Sequence, residues 1–256
     1  MSRKFAVLGS PISHSLSPLI HNAAFGVQGL DHSYDRVELD HGLDRFVSTD
    51  GANYAGFSVT MPLKDEALAL SATTDDLAQE TKSVNTMLRS DAGWLGFNTD
   101  VLGFRAATAE MNFESVSVLG TGATARSALV AFSGKPVKIW GRDAAKAAAV
   151  AGQFHAEQAE LDSALAANLV VSTLPKGALG ELVGQREQPG CVFDVVYADW
   201  PSAGSKAFAS SISGLELLLH QALYQQRIFA FGDPHRALDD EATVFAAMRR
   251  AVEMAE

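Results

Sequence analysis

The chain has 256 residues, enough for one large domain or two smaller ones. Its 47% hydrophobic and 20% charged residues lie in the ordinary range for a globular protein with a packed core. A formal net charge of -10 sets an acidic surface against phosphate backbones, which argues against non-specific nucleic-acid binding but allows a small anionic substrate in a locally basic pocket.

Taken in chain order, the N-terminus has two early cations, Arg3 and Lys4, and one short apolar run before Gly9-Ser10-Pro11. That run is too short for a signal-peptide core or a membrane span, so a cytoplasmic protein without membrane contact is expected. Strand-like runs stand at Phe5–Leu8, Tyr34–Leu39 and Phe57–Val59. Pro18–Gly26 reads as a helix, with Ser17 as its N-cap and Pro18 in the first helical position. From about residue 115 the rhythm becomes a regular βαβ alternation. Val116–Leu119 is a strand, Thr124–Phe132 a helix and Val137–Trp140 the next strand; Asp143 then caps an alanine-rich helix to about Phe154. Leu169–Ser172 and Val192–Val196 are further buried strands. Strands that alternate with helices in this way predict a parallel, doubly wound sheet. The one cysteine, Cys191, borders an apolar run and reads as a small buried hydrophobe. A single thiol makes no internal disulfide, which fits a reducing compartment. After Gly214 two segments carry apolar residues at helical spacing, the second ending near Val252. No internal repeat or low-complexity tract is present.

Two groups of motifs carry chemistry. Gly120-Thr121-Gly122-Ala123-Thr124-Ala125 matches the G-x-G-x-x-G/A pattern between a strand and a helix. The first glycine allows the tight turn, the second lets the backbone approach a pyrophosphate, and the small third residue permits close helix–strand packing. At the end of the next strand, where an NAD-binding chain usually has an acid, stands Gly141-Arg142-Asp143 with Lys146 beyond. A guanidinium there suits the 2′-phosphate of NADP; Asp143 near it keeps NAD as the second choice.

Four N-terminal patches hold more polar groups than loops require. They are Ser13-His14-Ser15-Leu16-Ser17-Pro18, Ser58-Val59-Thr60-Met61-Pro62-Leu63-Lys64, Val84-Asn85-Thr86 and Gly96-Phe97-Asn98-Thr99-Asp100. Singly, each has a plain reading: Ser17 a helix cap, Thr60 a strand residue, Lys64 a surface charge, Asn85 a turn residue, Asp100 a cap. Together they offer hydroxyl, amide, ammonium and carboxylate groups at the ends of strand-like runs, which suits recognition of a small polyhydroxylated acid.

These patches, the glycine loop, Tyr197 after the strand Cys191–Val196, and Gly214-Leu215 with Gln221 resemble the shikimate dehydrogenase family in order and spacing, over nearly the whole chain. The resemblance implies NADP-dependent interconversion of 3-dehydroshikimate and shikimate in aromatic amino-acid (chorismate) biosynthesis, with no metal. It implies two domains, an α/β substrate-binding domain of residues 1–101 plus 215–256 and a Rossmann-type dinucleotide-binding domain of residues 102–214. The C-terminal helices would return to the N-terminal domain, in a monomer or homodimer. Carried across by position, Lys64 and Asp100 match the catalytic pair. Ser15 and Ser17 match the serines that bind the substrate carboxylate. Thr60, Asn85 and Gln221 match groups that bind its hydroxyls or carboxylate, with Tyr197 close by. Gly120, Gly122, Ala123, Thr124 and Ala125 match the cofactor loop, and Arg142 and Lys146 the basic positions for the 2′-phosphate. His14 reads as structural. The chain departs from the family's pattern at Ser58, usually Asn, at Lys82-Ser83, usually Gly-Ala, and at Gly141, Asp143 and Ser172–Pro175. Two alternatives stay open: a quinate/shikimate dehydrogenase using NAD, and a catalytically silent nucleotide-binding sensor on the same fold.

Overall fold

Phe5, Ala6, Val7 and Leu8 are all buried, so the first strand carries apolar side chains on both faces, as an inner parallel strand does. In the computed structural model, which describes residues 2–255, the chain divides into two units. One unit holds the residues up to Gly103 and those from Leu219 onward; the other holds Phe104–Leu218.

The first unit runs β1 (Lys4–Gly9), α1 (Ser17–Val27), β2 (Ser33–Glu38), α2 (Leu43–Ser48), β3 (Gly56–Val59), α3 (Lys64–Leu70), β4 (Thr73–Thr74), α4 (Asp76–Thr81), β5 (Thr86–Ser90), β6 (Gly93–Phe97) and the start of α5 (Thr99–Ala107). Its sheet has the order β2-β1-β3-β5-β6-β4. β1 pairs in parallel with β2 and β3, while β5 runs antiparallel to β3 and β6. Alternation along β1 sends Ala6 and Leu8 into a cluster with Leu43, Phe57, Met87 and Trp94, and Phe5 and Val7 into one with Phe25, Tyr34 and Phe229.

Two local details differ from expectation or explain a departure. Helix α1 begins at Ser17 itself, with Leu16 in the cap position and no side-chain cap. Pro18 within the first turn lacks an N–H, which leaves one donor fewer to be capped. Ser17 is therefore not the N-cap. Lys82, just after α4, has a left-handed φ of 52° that glycine adopts without strain. Next to it the Ser83 hydroxyl is buried without a partner among the described residues. Replacing Lys82-Ser83 by Gly-Ala is expected to stabilise the fold by about 1–3 kcal/mol, chiefly by removing the unsatisfied hydroxyl. Urea unfolding midpoints of the two proteins measure this; an unchanged or lower midpoint contradicts it.

The second unit runs from the rest of α5 through β7 (Val116–Leu119), α6 (Ala123–Ala131), β8 (Val137–Trp140), α7 (Ala144–Gln153), β9 (Glu157–Gln158), α8 (Leu161–Leu165), β10 (Leu169–Ser172), α9 (Ala178–Val183), β11 (Gln188–Asp194) and β12 (Phe208–Ser213). All six strands are parallel, in the order β12-β11-β10-β7-β8-β9. The strand order reverses between β7 and β10, which makes the carboxyl ends of these strands the switch point of a doubly wound sheet. Val116, Val118, Ile139, Val171 and Phe193 pack on one face with Ala125 and Ala128 of α6; Leu119, Val170 and Val192 pack on the other with Leu165 and Leu179.

Helix α10 (Gly214–Phe231) leads back into the first unit, where α11 (Glu241–Glu253) packs along α1. No helix among the described residues is long and apolar enough to cross a membrane.

Candidate active site

In the first unit, polar side chains collect where α3, β5, α5 and α10 begin or pass. The turn after β3 leads through Thr60 and buried Leu63 to Lys64, the first residue of α3. Leu63 and Ala67 are fully buried and seat this end of the helix in the core. Asp100 stands in the first turn of α5, where the positive end of the helix dipole favours a carboxylate. Lys64 Nζ donates to Asp100 Oδ2 at 2.5 Å, with side chains only 10% and 9% exposed. An ion pair so removed from water is strongly coupled, and removal of one partner leaves a buried charge.

The rest of the cluster fixes that carboxylate. Asn85 Nδ2 donates to Asp100 Oδ1 at 2.7 Å. Asn85 Oδ1 accepts from the Thr99 N–H at 2.9 Å, which holds the amide from one side. Asn98 caps α5: its Oδ1 accepts from Asp100 N at 3.0 Å and Val101 N at 3.3 Å. Its Nδ2 donates to Thr81 Oγ1 and the Ser83 carbonyl, so the cap is itself held. Thr99 Oγ1 lies 3.2 Å from Gln221 Oε1, which brings α10 to the cluster. An ammonium on one carboxylate oxygen and an amide on the other make a site able to hold and pass a proton at a buried position.

Of the residues expected from sequence, Lys64, Asn85, Asp100 and Gln221 are thus brought together, all buried. Thr60 is half-buried on the turn before Lys64; its N–H donates to the Leu8 carbonyl and its own carbonyl accepts from Leu63 N–H. Ser15 and Ser17 lie on the loop into α1. Ser15 Oγ accepts from Ser17 N–H at 3.3 Å, and Arg36 Nε donates to the Ser15 carbonyl at 2.9 Å. Ser17 is 5% exposed and its hydroxyl makes no hydrogen bond among the described residues. No hydrogen bond joins this serine loop to the Lys64–Asp100 pair among the described residues. His14 is exposed. Asn98, Thr86 and Thr99 lie inside the quoted motifs without a role assigned from sequence; Asn98, two residues before Asp100, has the signature of an N-cap.

The second unit has its own arrangement. Gly120 takes φ +119°, and a Cβ there would fall 2.3 Å from Thr173 Oγ1. Only glycine fits this turn. Gly122 is the N-cap of α6 with no side-chain cap, and a Cβ on it would meet nothing within 4 Å. The N–H groups of Ala123, Thr124 and Ala125 therefore open α6 beneath clear space, and Ala125 is fully buried against the sheet. A bare helix N-terminus at the switch point fits a dinucleotide phosphate. At the end of β8, Asp143 caps α7, its carboxylate accepting from Lys146 N–H at 3.0 Å. Arg142 and Lys146 are exposed, and their side chains have no ion-pair partner among the described residues. Tyr197 is half-buried in the loop after β11, in this unit and not in the first.

Residues 7–87 match the family model described as the shikimate dehydrogenase substrate binding domain. The shikimate dehydrogenase (NADP(+)) of Syntrophobacter fumaroxidans is 32% identical over 246 residues, 86% of this chain and 85% of that one. A solved shikimate 5-dehydrogenase from Mycobacterium fortuitum is 35% identical, with a TM-score of 0.80 and coverage of 98% of each chain. The shikimate 5-dehydrogenase of Thermus thermophilus, solved in complex with NADP(H) and shikimate, is 30% identical, with a TM-score of 0.81 over 97% of this chain and 99% of that one.

Proposed function

The chain belongs to the shikimate dehydrogenase family, and we propose that it catalyses the reversible NADPH-dependent reduction of 3-dehydroshikimate to shikimate. The observation that carries this reading is the buried Lys64–Asp100 pair, braced by Asn85. A silent nucleotide sensor has no need of an ion pair kept out of water at such cost. The first unit serves as the substrate-binding domain and the second as the dinucleotide-binding domain.

In this mechanism bound NADP(H) supplies or receives the hydride. The protein's own groups handle position, charge and the proton. Ser15 and Ser17 hold the substrate carboxylate; Thr60, Asn85 and Gln221 orient the ring, and the family resemblance adds Tyr197 of the second unit as a further substrate contact. During oxidation Lys64 takes the hydroxyl proton as it passes one of its own to the Asp100 carboxylate, and the reverse transfer serves reduction, so the lysine stays an ammonium that stabilises negative charge on the reacting oxygen. Gly120, Gly122 and the N–H groups of Ala123, Thr124 and Ala125 receive the pyrophosphate. Arg142 and Lys146 receive the 2′-phosphate.

Shikimate and quinate assayed with NADP⁺ and with NAD⁺, in all four pairings, test the reading. Turnover is expected to be fastest with shikimate and NADP⁺; preference for quinate with NAD⁺ overturns it. The cofactor assignment has its own test in Arg142→Ala. Loss of one charge-assisted phosphate contact is expected to weaken NADP⁺ binding roughly ten- to a hundredfold and leave NAD⁺ almost unchanged. Asp143 is committed to capping α7, so Asp143→Ala should lower stability by about 1 kcal/mol and favour NADP⁺ slightly further. An Arg142→Ala protein with unaltered KM values for both cofactors removes Arg142 from the phosphate site.

A further inference from the structure

Behind the Lys64–Asp100 pair lies a second layer of polar side chains that the proposed chemistry does not use. His21, Ser58, Thr86, Gln225 and Gln226 are each at most 5% exposed. Polar groups so deep in a core destabilise it unless every one is satisfied. Here the hydrogen bonds of Ser58, Gln225 and Thr86 form one directed chain. Tyr34 donates its O–H to Ser58 Oγ at 2.5 Å, and Ser58 donates its own to Gln225 Oε1 at 2.7 Å. Gln225 Nε2 donates to Thr86 Oγ1 at 3.0 Å, and Thr86 donates to Asn85 Oδ1 at 2.8 Å. Asn85 Nδ2 then donates to Asp100 Oδ1. Ser58 and Thr86 each accept once and donate once along this chain, and Tyr34 heads it as a donor.

A separate set of contacts fixes the amide of Gln225. Gln28 Nε2 is tied to the Ala24 carbonyl and also donates to Gln226 Oε1. Gln226 must therefore present Nε2 to His21 Nδ1, at 2.7 Å. His21 Nδ1 accepts, its proton sits on Nε2, and Nε2 donates to Gln225 Oε1 at 3.1 Å. Burial pushes the imidazole down to about 3, which keeps it neutral in this arrangement near neutral pH. Gln225 follows Gln221 by one helical turn on the same face of α10, so one helix reaches both layers.

We propose that Gln225, acting through the Thr86 hydroxyl, is a positioning residue that holds the Asn85 amide with its N–H toward Asp100. The inference rests on the proposed function. A flipped Asn85 would set its carbonyl against the Asp100 carboxylate. The Thr86 O–H helps forbid that flip by occupying the carbonyl from the other side. Ser58, where the chain departs from the family's usual Asn, belongs to the same set, since its hydroxyl donates to Gln225.

The test is steady-state oxidation of shikimate with NADP⁺ by the full chain and by Thr86→Val, Thr86→Ser, Gln225→Met and the Thr86→Val/Gln225→Met double variant. Thr86→Val and Gln225→Met are each expected to lower kcat about tenfold, the factor carried by one hydrogen bond of ordinary strength, with KM for NADP⁺ unchanged. Thr86→Ser, which keeps the hydroxyl, should stay within about twofold of wild type, and the double variant should lose no more than the worse single one. If Thr86→Val does not fold, Gln225→Met and Thr86→Ser decide the matter. Wild-type kcat in a folded Gln225→Met protein, multiplied losses in the double variant, or a Thr86→Ser protein as impaired as Thr86→Val each overturn the inference. A wild-type protein that does not turn over shikimate with NADP⁺ overturns the proposed function, and this inference with it.

Discussion

Lys64→Ala is expected to lower kcat for shikimate oxidation by about 10²–10⁴-fold, with a far smaller change in substrate KM. The ammonium sits on Asp100 Oδ2 in a site nearly closed to water, and no other cation bonds that carboxylate among the described residues. Its removal therefore takes away both the proton path and the charge that offsets a developing alkoxide. The same substitution leaves Asp100 buried without its partner, which should cost about 3–5 kcal/mol of stability. Kinetics are to be read beside far-UV circular dichroism and a denaturation curve, so that lost chemistry is separated from lost fold. Near-normal turnover in a folded Lys64→Ala protein removes this residue from the mechanism.

Joint replacement of Ser15 and Ser17 by Ala should raise the KM for shikimate with little effect on NADP⁺ binding. Two hydrogen bonds to a charged group suggest roughly 3 kcal/mol in transition-state binding, or more than a hundredfold in kcat/KM. The local structure sharpens this expectation. Ser17 is a largely buried residue that does not cap α1, and its hydroxyl has no partner among the described residues, so it retains hydrogen-bonding capacity for a ligand. Ser15 spends its oxygen on the Ser17 N–H, which leaves its O–H to donate elsewhere. Unchanged KM in the double variant means that the loop only shapes the entry to α1, and the placement of the substrate carboxylate fails.

How far the sequence could be read depended on burial. β7, β8, β10 and β11 were legible because inner parallel strands need apolar residues on both faces, and Val116–Leu119 or Leu169–Ser172 have them. β12 was not legible, because Phe208–Ser213 is an edge strand whose middle residues are exposed, and nothing in Ala-Ser-Ser marks it. The hairpin of β5 and β6 was hidden for another reason. Its strands carry Arg89, Ser90 and two glycines among the apolar residues, and its turn depends on Gly93 at φ +113°. Chemistry-bearing residues at strand ends and helix starts, such as Lys64, Asn85 and Asp100, stood out through their motifs. Gln225 did not: a glutamine within a helix reads as a solvated one, and only the fold reveals that it is 1% exposed beneath Asn85.

The first unit is assembled from two stretches of chain separated by the whole of the second. Everything the second unit needs has been synthesised once Leu218 has been added. The first unit at that moment still lacks Gln221, Gln225, Phe229 and the helix that covers α1. During synthesis the nucleotide-binding half can therefore mature early, whereas the half bearing Lys64 and Asp100 must wait, partly unroofed, for the last forty or so residues. A nascent chain interrupted in that interval would carry a finished dinucleotide fold and an exposed apolar face around Phe5 and Phe25, the state in which chaperone binding or aggregation competes with completion.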